Sequence, residues 1–228
     1  MVARFLSTTR RFGSELYTRG LRRCLTVGLR LNAFDYPPTV WPPPTPARQY
    51  IREFLETYRT QIKGRCVEFP PPVYREEFGR GPAVTSYDVW GIEPGQGITV
   101  VGDLQSPPHI KDGAFDTILC THVLCCVARP WLAAAEMHRL LAPGGVALCT
   151  APVILQRYAP DPKDYWRFTK DSLQLLFSDF SRVEAHSYGN AITVAASPFY
   201  LMTQHLPRKV LRLHDDNCPN VVAAAAWK

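Results

Sequence analysis

Apolar residues recur at three- and four-residue steps through Ile51, Phe54, Leu55, Tyr58 and Ile62, which predicts a helix with one buried face. Thr45-Pro46 starts it, a hydroxyl cap followed by proline in the first turn, and Gly64 ends it. The pattern then changes to short apolar runs bounded by turn residues. Arg65–Phe69, Ala83–Val89, Ile98–Asp103 and Phe115–Cys120 read as strands. A helix carrying Trp131, Leu132, Ala135, Leu140 and Leu141 follows Pro130, and Pro143-Gly144-Gly145 turns the chain into a fifth strand, Val146–Ala151. Thr169 caps a helix with Leu173, Leu176 and Phe177, and Arg182–Tyr188 alternates as a strand. Asn190 to His205 reads as mostly helical with an interruption at Pro198, and Val221–Trp227 is a last strand.

Strands alternating with helices predict an α/β fold, a doubly wound, Rossmann-like, mostly parallel sheet. The short stretch between Trp90 and Gly97 leaves room for a loop but not for a helix between the second and third strands. Ligands of such sheets bind at the carboxyl ends of the strands. Glu68, Asp88 and Asp103 are each expected at such an end, where a carboxylate can accept hydrogen bonds from ribose hydroxyls or an amine.

Charge divides the chain. Residues 1–50 hold eight arginines, no lysine and two acids, whereas residues 51–228 hold eighteen basic and eighteen acidic residues. The overall charge of +6 therefore belongs to the N-terminal arm, and nothing in the balance predicts a nucleic-acid-binding core. Residues 1–35 form a basic arm in which Phe5, Phe12, Tyr17 and Leu21 can share one helical face. Its composition suits a mitochondrial targeting segment or, alternatively, an arm that docks on its own domain or on a protein partner. A cytoplasmic location is the expectation, with the mitochondrion as alternative. Residues 36–46 contain six prolines and read as an extended linker, so residues 47–228 form the folded domain. No apolar run is long enough for a membrane span.

The seven cysteines include no C-x-x-C pair and mostly lie in apolar runs, which fits a reducing compartment without a disulfide framework. Cys125-Cys126 is a vicinal pair, read as packing or as redox chemistry. No metal site is expected, because neighbours such as His214, Asp215 and Asp216 rarely converge on one ion.

Taken in order, these residues resemble class I S-adenosylmethionine-dependent methyltransferases of the small-molecule type. The resemblance runs through Glu68, Asp88, Asp103-Leu104, Asp112–Asp116, Thr121–Leu124, Leu140–Val146 with its Pro-Gly-Gly turn, and Asp164–Thr169 (Asp-Tyr-Trp-Arg-Phe-Thr). It implies a seven-stranded class I methyltransferase fold, S-adenosyl-L-methionine as cofactor and a small-molecule acceptor. It also implies a cofactor-binding set of Glu68, Phe69, Pro70, Asp88, Asp103, Leu104 and Thr121, with Asp88 on the ribose and Asp103-Leu104 flanking the adenine. His122, as general base, and Asp164 are the catalytic candidates, and Asp164, Tyr165, Trp166 and Arg167 would line the acceptor side. One departure stands out. Where the family carries glycines after the first acid, this chain has Phe69-Pro70-Pro71-Pro72-Val73-Tyr74, and proline supplies no N–H donor. Two functions are therefore expected as alternatives: methyl transfer to a small molecule, or a catalytically inactive binding or assembly module on the same fold.

Overall fold

The computed structural model describes residues 44–106, 110–154, 157, 162–199 and 201–228. Most of the arm and linker, including the helical face expected for Phe5 to Leu21, lies outside the described residues. Thr45 caps α1 (Pro46–Thr57) by accepting the Arg48 N–H, and Tyr50, Ile51, Phe54 and Leu55 form its buried face. Gly64 opens β1 (Gly64–Glu68) rather than ending α1, because a 3-10 turn at Arg59–Gln61 intervenes. At Gly64 φ is 66°, and a side chain there would collide with Asp116, whose carboxylate accepts the Arg65 N–H.

Beyond β1 come a four-residue helix α2 (Arg75–Phe78), β2 (Val84–Gly91), the two-residue β3 (Val100–Val101) and β4 (Phe115–Thr121). They are followed by α3 (Pro130–Leu140), β5 (Leu141–Pro152), α4 (Lys170–Leu176) and β6 (Arg182–Tyr188). The chain closes with α5 (Ala191–Ala196), α6 (Arg208–Leu211) and β7 (Val221–Trp227). The seven strands make one sheet in the order β3-β2-β1-β4-β5-β7-β6. The pairings among β1 to β5 are parallel, and β7 lies antiparallel between β5 and β6. As expected, no helix joins β2 to β3.

Two apolar layers cover the sheet. On one face α3 and α4 contribute Ala133, Met137, Leu140 and Leu173, joined by Phe177 just past α4; on the other, α1 packs with Tyr74 and Phe78. The β7 stretch Ala223–Ala226 is fully buried, and Ala223 and Ala225 belong to the layer under α1. Methyl side chains there let the helix approach the sheet closely. No helix among the described residues is long and apolar enough to cross a membrane.

Several strand ends shift by a residue from the sequence expectation, and three larger differences have a visible cause. β2 continues past Val89 because Trp90 and Gly91 pair with Val100 and Val101, while the Trp90 ring stacks on Phe69 at 5.7 Å. β3 shrinks to two residues because Thr99 uses its hydroxyl to accept the Val89 N–H, and Gly97 turns with φ 77°. β5 starts at Leu141, and its pairing with β4 shifts register between Phe115 and Thr117, across the Pro-Gly-Gly turn.

Candidate functional site

The carboxyl edge of the parallel strands gathers β1 and its proline loop, the exits of β2 and β3, the β4 exit at Thr121-His122, and segment 164–168. Glu68 closes β1 with no exposed surface. Its carboxylate accepts the Tyr87 hydroxyl at 2.8 Å and the Tyr74 N–H at 3.1 Å. Burial pushes the Glu68 carboxyl up to about 7, against the opposing pull of Tyr87 and of the Tyr74, Val73 and Arg75 N–H groups. This acid is therefore an internal anchor. It holds the Tyr74 N–H that follows the prolines, and it is sealed behind Tyr74 and Tyr87. The loop itself has a cis Pro70-Pro71 bond, with Pro70 to Pro72 exposed.

Phe69, Trp90 and Leu104 are buried and make an apolar floor beneath the β1, β2 and β3 exits. The Trp90 indole N–H donates to the Gly102 carbonyl at 2.8 Å, tying the floor to the β3 exit. Asp103 stands exposed just beyond β3, and its carboxylate accepts the Gln105 N–H at 2.8 Å. Asp88 is placed differently from the expectation. It lies three residues before the end of β2 and accepts the Thr99 hydroxyl at 2.8 Å. The first acid beyond the β2 exit is the exposed Glu93.

Thr121 ends β4 half-buried, paired with Thr150 of β5. His122 follows with φ 55°, and its N–H donates to the Thr150 carbonyl at 2.9 Å. The His122 Nε2 and the Thr150 hydroxyl are both buried without a hydrogen-bond partner in the protein. Burial depresses the His122 imidazole to about 3, and the positive charges of Arg48 and Arg167 act in the same direction. It is thus held as a neutral ring. Buried polar atoms of this kind call for a ligand or a water molecule.

Asp164 has a side chain only 1% exposed and binds Arg167 through two bonds of 2.5 and 2.8 Å. The Trp166 indole N–H donates to the Val127 carbonyl at 3.0 Å, and its ring meets Trp131 edge-on at 6.3 Å. Tyr165 is half-exposed. The backbone N–H groups of Tyr165 and Trp166 both donate to the Cys125 carbonyl, so segment 164–168 is clamped to the turn after His122. The structure thus brings His122 and the Asp164–Arg167 segment together, and keeps Asp88 and Glu68 back from the edge.

Residues 86–149 match a family model described as a methyltransferase domain. A comparison with curated proteins by sequence finds no match. Among solved structures, the chain is similar to a SAM-dependent methyltransferase from Archaeoglobus fulgidus, with 12% identity and a TM-score of 0.52, covering 79% of this chain and 94% of that one. It is also similar to an S-adenosylmethionine-dependent methyltransferase from Mesorhizobium loti, with 13% identity and a TM-score of 0.53, covering 81% of this chain and 98% of that one. In its strand order and in the sequence of residues 86–149, the chain resembles class I S-adenosylmethionine-dependent methyltransferases and carries their fold.

Proposed function

We propose that the carboxyl edge of this sheet binds S-adenosyl-L-methionine and serves methyl transfer to a small-molecule acceptor. The observation that carries the proposal is the β3 exit, where exposed Asp103 and buried Leu104 adjoin the Phe69–Trp90 floor. A carboxylate beside an apolar floor suits a purine with an amine and a ribose. Glu93, past the β2 exit, is better placed than Asp88 for the ribose hydroxyls. The proline loop cannot offer the usual glycine N–H donors, and the next two are taken, Val73 by the Pro71 carbonyl and Tyr74 by Glu68. The positive charges of Arg48 and Arg167, which act together on His122, complement the carboxylate of the methionine part.

When bound, the cofactor supplies an activated methyl group. The chain's own contribution is to align an acceptor and exclude water. Trp166 and Tyr165 line the acceptor side, Thr121 stays on the cofactor side, and Asp164 fixes Arg167 in place. The His122 ring, held neutral, can accept a hydrogen bond from a hydroxyl acceptor and orient it, but it resists taking up the proton.

One observation favours a second reading, a catalytically inactive binding module. The first two N–H groups after the prolines are already used inside the protein: Val73 donates to the Pro71 carbonyl at 2.8 Å and Tyr74 to the Glu68 carboxylate at 3.1 Å. Thermal-shift titration with S-adenosylhomocysteine separates the two. The first reading expects a rise in melting temperature for the native chain, a smaller rise for Asp103→Asn and for Glu93→Gln, and an unchanged rise for Asp88→Asn. No rise in the folded native chain supports the second.

A further inference from the structure

The vicinal cysteines lie at the junction between the β4 exit and the clamped segment. Cys125 is buried and Cys126 half-buried in the 3-10 turn Leu124–Cys126, with their sulfurs 3.8 Å apart. The Cys125 sulfur also lies 3.2 Å from the His122 carbonyl. Every polar group of the peptide unit joining the two cysteines is in use. The Cys126 N–H donates to the Val123 carbonyl at 2.8 Å, and the Cys125 carbonyl accepts Tyr165 and Trp166 at 2.8 and 3.1 Å.

We propose that Cys125 and Cys126 are a redox modification site, a dithiol that closes to a vicinal disulfide and in doing so releases segment 164–167 from the cleft. Consecutive Cα atoms are about 3.8 Å apart across a trans peptide. An ordinary disulfide spans about 4.4–6.8 Å between Cα atoms and brings its sulfurs to about 2.05 Å. With the Cα separation fixed, bringing the sulfurs from 3.8 Å to bonding distance falls on the side-chain torsions and on ψ of Cys125 and φ of Cys126, which turn the peptide unit between them. That rotation carries the Cys125 carbonyl away from Tyr165 and Trp166, so the reduced turn and the clamp stand or fall together. The disulfide so formed is strained and readily reduced.

The oxidant is a peroxide. The Cys126 thiolate attacks one peroxide oxygen and becomes a sulfenic acid, and the leaving hydroxide takes up a proton to give water. The Cys125 sulfur, losing its proton, then attacks the Cys126 sulfur. The S–S bond forms, the S–O bond breaks, and a second water leaves. Two thiols have supplied the two electrons that reduce one peroxide. The more exposed Cys126 acts first. Consistently, the hydrogen bond between the two sulfurs lowers the Cys126 thiol, and it raises that of Cys125 together with burial.

The test treats the full chain with a small excess of hydrogen peroxide, alkylates the remaining thiols and follows limited trypsin digestion. The expected result is a 2 Da loss localised by fragmentation to Cys125-Cys126 and cleavage after Lys163 and Arg167 roughly tenfold faster, from the loss of two hydrogen bonds. Dithiothreitol should reverse both in the native chain, a control that needs no variant. Cys126→Ser should abolish both, and Cys125→Ser should stop at a sulfenic acid trapped by dimedone. Oxidation that leaves both cysteines alkylatable overturns the site. A localised disulfide with unchanged cleavage after Lys163 and Arg167 overturns its coupling to the cleft.

Discussion

Glu68 makes the most quantitative prediction. Its carboxyl has no exposed surface and is pushed from its ordinary value of 4.5 to about 7. In the unfolded chain it titrates near the ordinary value, so the folded state holds the proton more tightly between those two values. Stability from this group is complete below the unfolded pKa and is lost as pH rises through the folded one. With 1.36 kcal/mol per pKa unit, the loss between pH 5 and pH 8 is about 2–3 kcal/mol. Glu68→Gln removes the titration while keeping the hydrogen bonds. Its carbonyl can accept the Tyr74 N–H, and its amide can donate to a rotated Tyr87 hydroxyl. Urea unfolding of both proteins at several pH values from 5 to 8 isolates this group, because His122 and every other titrating residue are shared. The stability of Glu68→Gln relative to the native chain should rise with pH by about 2–3 kcal/mol. Parallel stability curves across that range would refute the buried-anchor account of the proline loop.

Three further outcomes follow from the geometry. The imidazole of His122, depressed to about 3, should show no NMR titration between pH 5 and 8, and a midpoint near 6.5 would mean that the ring is solvated. Asn190 accepts the Ile192 and Thr193 N–H groups and donates to the Val210 and Leu213 carbonyls, so Asn190→Ala should cost about 2–3 kcal/mol in urea unfolding. A cost below half a kcal/mol, about the level of an ordinary surface change, would show that water replaces those bonds. Ala225→Leu should destabilise by about 1–3 kcal/mol by forcing α1 off the sheet, and an unchanged melting temperature would contradict the close packing seen there.

The sheet was legible in the sequence where a strand's own residues define its length. Arg182–Tyr188 and Val221–Trp227 match the expected bounds because both pair along their whole length. Where a partner sets the length, local pattern failed. Asp88 looks like a strand end, yet Trp90 and Gly91 continue β2 because Val100 and Val101 are there to pair. That the proline loop cannot donate is legible in the sequence, but its consequence is not, since the seal over Glu68 is made by Tyr74 and Tyr87 across the fold. Nor does the sequence show that the Cys125 carbonyl holds segment 164–168. That contact joins residues forty positions apart through backbone atoms, which carry no sequence signature.

The central claim is that this edge binds S-adenosyl-L-methionine although prolines replace the glycine loop. Titration calorimetry of the full chain with S-adenosylmethionine and S-adenosylhomocysteine tests it most directly. The account predicts saturable one-site binding in the micromolar range, weakened by Asp103→Asn. A folded protein that shows no heat of binding at millimolar ligand would contradict it, and would leave the methyltransferase fold here as a binding module.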